Sequence, residues 1–334
     1  MAAGQAAPTD GLRVGSPDGA RSRGQSGESL FELNPPTTGA PAWRSAIGAA
    51  CYTSRVVPEL PELEVVREVL TRRLGGRRIE AVTLAPKGAA VVLRDLTGEG
   101  FVRLLTGALL GEVHRRGKFL LFEFPRAPFT LAVNPKLSGR FQLCPPGAKK
   151  AGPVHATLHF TEPREDLRYV DSKQMGQLYL TRDIRRIPTF DEMGPDALDV
   201  ELEDFQRRLR SYRGEIKGIL TRAAFVAGIG NAYADEILWQ ARLHPYRKRT
   251  ALTADEIGAL HQAMRQTLLD STELVRREMG DDVHLKPRDF FAVHMRGGQP
   301  CPRCGTPISE ITANQRITSF CRTCQPGGLV RGIR

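Results

Sequence analysis

Four cysteines constrain this chain more than any other feature. Cys301 and Cys304, then Cys321 and Cys324, form two CxxC pairs separated by residues 305–320. Each CxxC turn aims two sulfurs at one point, and four thiolates suit tetrahedral Zn²⁺. Gly305 follows the first pair, as a knuckle turn requires. A redox dithiol usually needs one CxxC on a helix in a βαβ setting, and no such setting exists here. The pattern predicts a zinc ribbon holding one structural Zn²⁺ with no open position for chemistry. Cys51 and Cys144 stand outside the pattern, and Cys144 reads as a strand-end residue. Free and metal-bound thiols fit a reducing compartment.

Charge suggests the partner. Lys and Arg total 48 against 37 acidic residues, a net charge of +11, and 39 of the 48 are Arg. Such a bias favours a polyanion, nucleic acid before an anionic membrane. A GC-rich genome also inflates Arg, so charge alone does not decide. No run of about 18 apolar residues exists, which excludes a transmembrane helix. A basic region followed by an apolar secretory segment is also missing. The expectation is a cytoplasmic, nucleoid-associated monomer with no membrane partner.

The 334 residues suggest about two domains at roughly 150 residues each. In residues 1–57, 29 positions are Gly, Pro, Ala or Ser, with no apolar periodicity. That composition predicts a disordered leader or a mis-assigned start. Order begins at Pro58. Leu63, Val66, Leu70 and Leu74 predict a helix over 59–74, with Pro58 and Pro61 at or before its first turn and Gly75-Gly76 ending it.

Short apolar runs follow at 78–84, 118–124, 130–133, 139–143, 156–160 and 176–180. Their spacing predicts a β-sandwich or barrel. From about 201 the pattern turns helical. Phe205, Leu209 and Tyr212 mark one helix, and Ile216, Ile219 and Leu220 another. Helices over 231–241 and 254–277 follow, the last behind a capping box at Thr253-Ala-Asp-Glu256.

Gly228-Ile-Gly-Asn231 reads as a glycine turn opening a helix, with Asn231 at or near the N-cap. Its free N–H groups and dipole predict a phosphate site, with Lys217 on the preceding helix. A plain helical hairpin is the competing reading. In the ribbon, Arg316 and Arg322 read as phosphate or base contacts. A solvated surface role competes, more strongly for Arg322.

Three motifs now stand in order: Pro58-Glu-Leu-Pro-Glu-Leu-Glu64, the glycine turn at 228–236, and the four cysteines ending Cys324-Gln325. Together with Arg116-Gly-Lys118-Phe119, they resemble the formamidopyrimidine-DNA glycosylase branch of the Fpg/Nei family over about 58–325. The resemblance implies an α+β multidomain fold. An N-terminal β-sandwich with flanking helices (58–190) precedes a helix-two-turn-helix domain (200–285), a zinc ribbon (290–326) and a tail (327–334).

The activity implied is excision of oxidised purines from damaged double-stranded DNA, with strand nicking by β,δ-elimination. Pro58 is implied as amine nucleophile and Glu59 as the adjacent acid/base, with Glu62 in support. Lys118, Asn231 and Arg316 are implied as phosphate clamps around a flipped nucleotide. An acylated proline is no nucleophile, so Pro58 needs a free amine. Val57 occupies the initiator position, and a start there with removal of residue 57 would expose it. Proteolytic cleavage is the rival route.

Two loops depart from the family pattern. Leu137 stands where a Met usually fills the gap left by the flipped base, and Asn134 replaces a usual His. Lys173 or Gln174 stands near a usual Arg, and Met175 replaces a Phe. Leu and Met can still wedge into a base stack, whereas ordinary core packing is their alternative role. His294 stands where a Tyr is common, and segment 280–288, at the place of the family's lesion-capping segment, has no residues that match the family pattern. Oxidised-pyrimidine removal, non-catalytic damage binding and a ribbon protein of translation are the competing functions.

Overall fold

The computed structural model describes residues 57–86, 88–313 and 316–327. Expectations about 1–56, Cys51 and the tail beyond 327 lie outside the described residues.

Helix α1 (Leu60–Leu74) begins one residue later than predicted, because Glu59 is its extended N-cap. The Glu59 N–H donates to Glu62 Oε2 at 2.9 Å, closing a capping box. Pro61 sits in the first turn, where its missing N–H costs nothing. Leu63, Val66, Leu70 and Leu74 are all buried, as their spacing requires.

The next eleven elements are β1 (Ile79–Leu84), α2 (Ala89–Val92), β2 (Leu93–Asp95), α3 (Phe101–Leu105), β3 (Val113–Arg116), β4 (Phe119–Glu123), β5 (Thr130–Asn134), β6 (Gly139–Cys144), β7 (Val154–Phe160), β8 (Glu165–Asp171) and β9 (Gln177–Thr181). One sheet runs β1-β7-β8-β6 and the other β2-β9-β5-β4-β3. All pairs are antiparallel except β2 with β9. Phe122, Leu131 and Leu178 of one sheet share a core with Phe141, Leu158 and Tyr169 of the other. Cys144 ends β6, as expected.

Strand β8 escapes any alternation rule. Every residue of Glu165–Asp171 is buried, yet charges recur along it. Pairing, not apolarity, makes that burial tolerable. Glu165 receives Arg73 and Arg77, and Asp166 receives His159 and Arg168. Strand β3 hides for the same reason: its Arg115 is held by Glu64 at 2.6 Å and by Asp196.

The helical half contains α4 (Leu202–Arg210), α5 (Ile216–Leu220), α6 (Asn231–Gln240) and α7 (Ala254–Met279). The predicted box caps α7: Glu256 N–H donates to Thr253 Oγ1 at 3.2 Å, and Thr253 N–H to Glu256 Oε2 at 2.9 Å. Phe205, Ile219, Phe225, Tyr233 and Met264 form this half's core. Leu60 belongs to it, while Leu63, one turn along α1, belongs to the sandwich core. The first helix therefore stitches the two halves. Strands β10 (Ser309–Ala313) and β11 (Arg316–Phe320) close the ribbon as an antiparallel hairpin.

Glu165→Ala takes the carboxylate from Arg77, while Arg73 keeps Asp281 at 2.7 Å. It is expected to cost about 2 kcal/mol, measured by urea denaturation; a loss below about 0.5 kcal/mol would refute pairing as the basis of β8.

Candidate active site and nucleic-acid interface

Two helix starts meet at the site. Leu60 N–H donates to Gly228 O at 3.1 Å. The carboxylate of Glu59, 1% exposed, accepts from the N–H groups of Gly230, Ala232 and Tyr233. These are the α6 donors that the sequence reserved for phosphate. The anion at this helix start is thus intramolecular, and the positive dipole end acts on Glu59. The N-cap is Gly230, and Asn231 is the first helical residue. A Cβ at Gly230 would strike both the Glu59 carboxyl and Lys118 Nζ.

Lys118 follows Gly117, whose φ of 57° makes the turn between β3 and β4. The lysine is half-buried. Burial lowers its pKa; Glu59 and Glu62 oppose that shift, while Arg288 and Arg316 add to it. The ammonium therefore sits between an acidic pair and two guanidinium groups.

Pro58 is buried at the start of this junction. Glu62 accepts from Tyr233 Oη at 3.0 Å and from Arg288 Nε at 3.0 Å. Arg288 also donates to Val57 O and lies over the rings of Tyr233 and Phe291. Burial opposes its charge, but Glu62 and Glu59 more than offset this and raise its pKa. Sequence reasoning missed Arg288. It lies in segment 280–288, and one arginine among 39 carries no signal.

Lys217 and Asn231 face the ribbon. Lys217 Nζ lies 2.7 Å from Asp235 Oδ1 and donates to Ile317 O at 2.8 Å and Thr318 Oγ1 at 2.9 Å. Asn231 Nδ2 donates to the same Ile317 carbonyl at 2.7 Å. Burial lowers the Lys217 pKa, and Asp235 opposes the shift. Asp235 Oδ2 also accepts from Ser319 N–H at 3.1 Å and lies 2.8 Å from His294 Nδ1. This buried network fixes β11 next to Arg316, which is exposed. Asp235 and His294 were not foreseen as its anchors. Glu236 ties down the following loop by accepting from the N–H groups of Ala292, Val293 and His294.

The four ribbon sulfurs lie within 4.8 Å of one another. Cys301 and Cys324 are 3.9 Å apart, and Cys304 and Cys321 3.4 Å. A tetrahedral metal with bonds of about 2.3 Å needs sulfurs about 3.8 Å apart, so the donor set fits. Trp239 Nε1 donates to Cys301 Sγ at 3.4 Å, while Arg303 stacks on that indole at 4.0 Å. The ribbon is thereby docked on α6.

The two family-divergent loops are tied together. Asn134 Oδ1 accepts from Lys136 N–H at 3.1 Å. Ser138 Oγ donates to Asp171, which also accepts from the N–H groups of Lys173, Gln174 and Gly176. Lys136 and Gln174 occupy the left-handed region, with φ of 51° and 54°. Leu137 and Met175 are 38% and 47% exposed, so neither is core. Lys173 and Gln174, which precede Met175, are exposed too.

Family comparisons agree with this architecture. Residues 57–178 match the formamidopyrimidine-DNA glycosylase N-terminal domain and residues 193–280 its H2TH domain. Residues 298–327 match a zinc finger found in FPG and IleRS. The formamidopyrimidine-DNA glycosylase of Symbiobacterium thermophilum is 36% identical over 281 residues, covering 81% of this chain and 90% of that protein. The one from Thermus thermophilus is 34% identical over 285 residues, covering 81% and 100%. The Lactococcus lactis Fpg complex with abasic-site DNA superposes with a TM-score of 0.70 at 29% identity, covering 80% and 100%. Its complex with FAPY-dG DNA gives the same TM-score, 0.70.

Sandwich, H2TH unit and four-cysteine finger define a class of DNA-repair glycosylase. The chain belongs to the formamidopyrimidine-DNA glycosylase family. No described helix is long and apolar enough to cross a membrane.

Gly230→Ala forces Glu59 and Lys118 apart. Glycosylase rate on a formamidopyrimidine duplex is expected to fall about 100-fold, the scale of an ångström misplacement. Wild-type turnover in this variant would show that the packing at Gly230 does not matter.

Proposed function

We propose that this chain is a bifunctional glycosylase and abasic-site lyase for oxidised purines, including formamidopyrimidines and 8-oxoguanine, in duplex DNA. The observation that carries the reading is the convergence of Pro58, Glu59 and Lys118 where α1 meets α6. The reaction requires a form whose Pro58 amine is free, made by starting or cutting the chain at 57–58. Its lone pair attacks C1′, the base departs, and an iminium links Pro58 to the opened sugar. That fixed cation draws electrons from the C2′–H bond, so the proton leaves and the 3′ phosphate follows. A second elimination releases the 5′ phosphate.

Glu59 is the acid/base for the sugar ring oxygen, held in one orientation by three backbone donors. Glu62 supports it through Arg288 and Tyr233. Lys118 and Arg316 hold phosphates flanking the lesion, with Asn231 beside them at the ribbon seam; Lys217, whose buried ammonium is spent on Asp235, Ile317 O and Thr318 Oγ1, sets the pose of β11 and so of Arg316 rather than touching a phosphate. Leu137 and Met175 wedge into the stack, Asn134 shapes the first loop, and Lys173 or Gln174 reads the orphaned base. The segment limits 58–190, 200–285 and 290–326 belong to the same reading, as does a cytoplasmic monomer.

Zn²⁺ is the ion read for Cys301, Cys304, Cys321 and Cys324; it holds the hairpin and takes no part in bond breaking.

A chain beginning at Pro58 is expected to nick a formamidopyrimidine duplex and to be trapped on it by borohydride through Pro58. Binding without an adduct would leave a damage-binding protein instead. Chelation is expected to release one Zn²⁺ per chain, perturb Trp239 fluorescence and abolish duplex binding. Full affinity of the metal-free chain would remove the ribbon from the interface.

A further inference from the structure

A guanidinium lies beside the Pro58 nitrogen. Arg288 Nη2 donates to the Val57 carbonyl oxygen. That oxygen and the Pro58 nitrogen are bonded to one carbon, by bonds of about 1.23 and 1.33 Å, so they lie only about 2.3 Å apart. A hydrogen bond of about 3 Å to the oxygen then puts Nη2 within about 5 Å of the nitrogen.

Other contacts hold the side chain in place. Arg288 Nε donates to Glu62 Oε1 at 3.0 Å, and the guanidinium lies 5.5 Å from the Tyr233 ring and 5.2 Å from the Phe291 ring. The side chain is 12% exposed. None of these contacts involves residue 57, so a chain that begins at Pro58 keeps them all.

Charges of both signs surround the nitrogen. Glu59 and Glu62 come from the start of α1, and Lys118, in the turn between β3 and β4, feels both. Arg140 from β6 and Lys286 from the segment after α7 line a small cavity with Pro58. Burial keeps the Tyr233 phenol of α6 neutral. The two carboxylates favour a protonated amine. Both are already engaged, Glu59 by three N–H donors of α6 and Glu62 by Tyr233, the Glu59 N–H and Arg288. A guanidinium stays charged at any working pH. Its presence within about 5 Å disfavours a second positive charge on the amine.

We propose that Arg288 is a positioning residue for Pro58, holding the amine in its unprotonated, nucleophilic form at neutral pH. This deepens the lyase reading above and rests on it. Arg288 acts without touching sugar or base: it neutralises Glu62 and repels a proton from the neighbouring nitrogen.

The test uses the chain beginning at Pro58, the form that the lyase reading requires, in excess over an abasic duplex so that binding is saturated. The amine adds to the C1′ aldehyde, and the carbinolamine takes up one proton and loses water to leave the iminium. Cyanoborohydride delivers hydride to that iminium. The adduct is mapped by mass spectrometry, and its rate of formation is followed from about pH 5 to about pH 9. An unperturbed α-amine loses its proton at about pH 7.7–8.0. The acid limb of the wild-type profile is expected below that range. Arg288→Gln is expected to move the limb up by about one unit, a loss of about tenfold on the acid side. Arg288→Lys, which keeps a charge, is expected to bring the limb back toward the wild-type position.

A wild-type limb within or above the ordinary range overturns the proposal, and that reading needs no variant to fold. A folded Arg288→Gln chain that loses the same factor at every pH, with its limb unmoved, also overturns it and leaves Arg288 a merely structural role. Either result leaves the lyase reading standing, because the adduct still forms on Pro58. No adduct on Pro58 at any pH sinks the lyase reading itself.

Discussion

The Glu59 carboxylate at the start of α6 is the contact on which the rest of the arrangement depends. It joins the first residues of the sandwich half to the first turn of the helical half through three N–H donors. A helix start carries about half a positive charge, so the anion gains both hydrogen bonds and field. The backbone N–H of the same residue donates to the Glu62 carboxylate at the start of α1. One residue therefore ties two helix starts together, and Gly230 must be bare to admit its side chain. Pro58 and Lys118 inherit their positions from that junction.

A second buried network carries the order outward. Asp235 gathers Lys217, His294 and the Ser319 N–H, and so sets β11 against α6. A buried carboxylate with one unmet valence would be costly. Here each partner comes from a different stretch of chain, so the network specifies one docking pose for the ribbon. Arg316, the first residue of β11, is presented by that pose.

Much of this was legible in the sequence. The four cysteines, the α1 periodicity, the Thr253–Glu256 box and most apolar strands follow local rules that the fold obeys. The exposed tips Leu137 and Met175 were identifiable through the family resemblance and their loop context, since composition alone would bury them. Strands β3 and β8 were illegible because ion pairing replaces alternation, and the partners lie tens of residues away. The α6 start was legible as an anion site, but not which anion fills it. Arg288 was invisible because its partners Glu62, Tyr233 and the Val57 carbonyl lie far away in sequence and meet it only on folding.

The grip of Arg288 on the Val57 carbonyl bears on the proposed role of Pro58. That carbonyl exists in the site only while residue 57 remains attached. Under the proposed mechanism, a chain that begins at Pro58 gains an amine and, by the same change, lacks the oxygen that occupies a neighbouring guanidinium donor. Exposure of the amine and reassignment of the adjacent cation would thus be coupled.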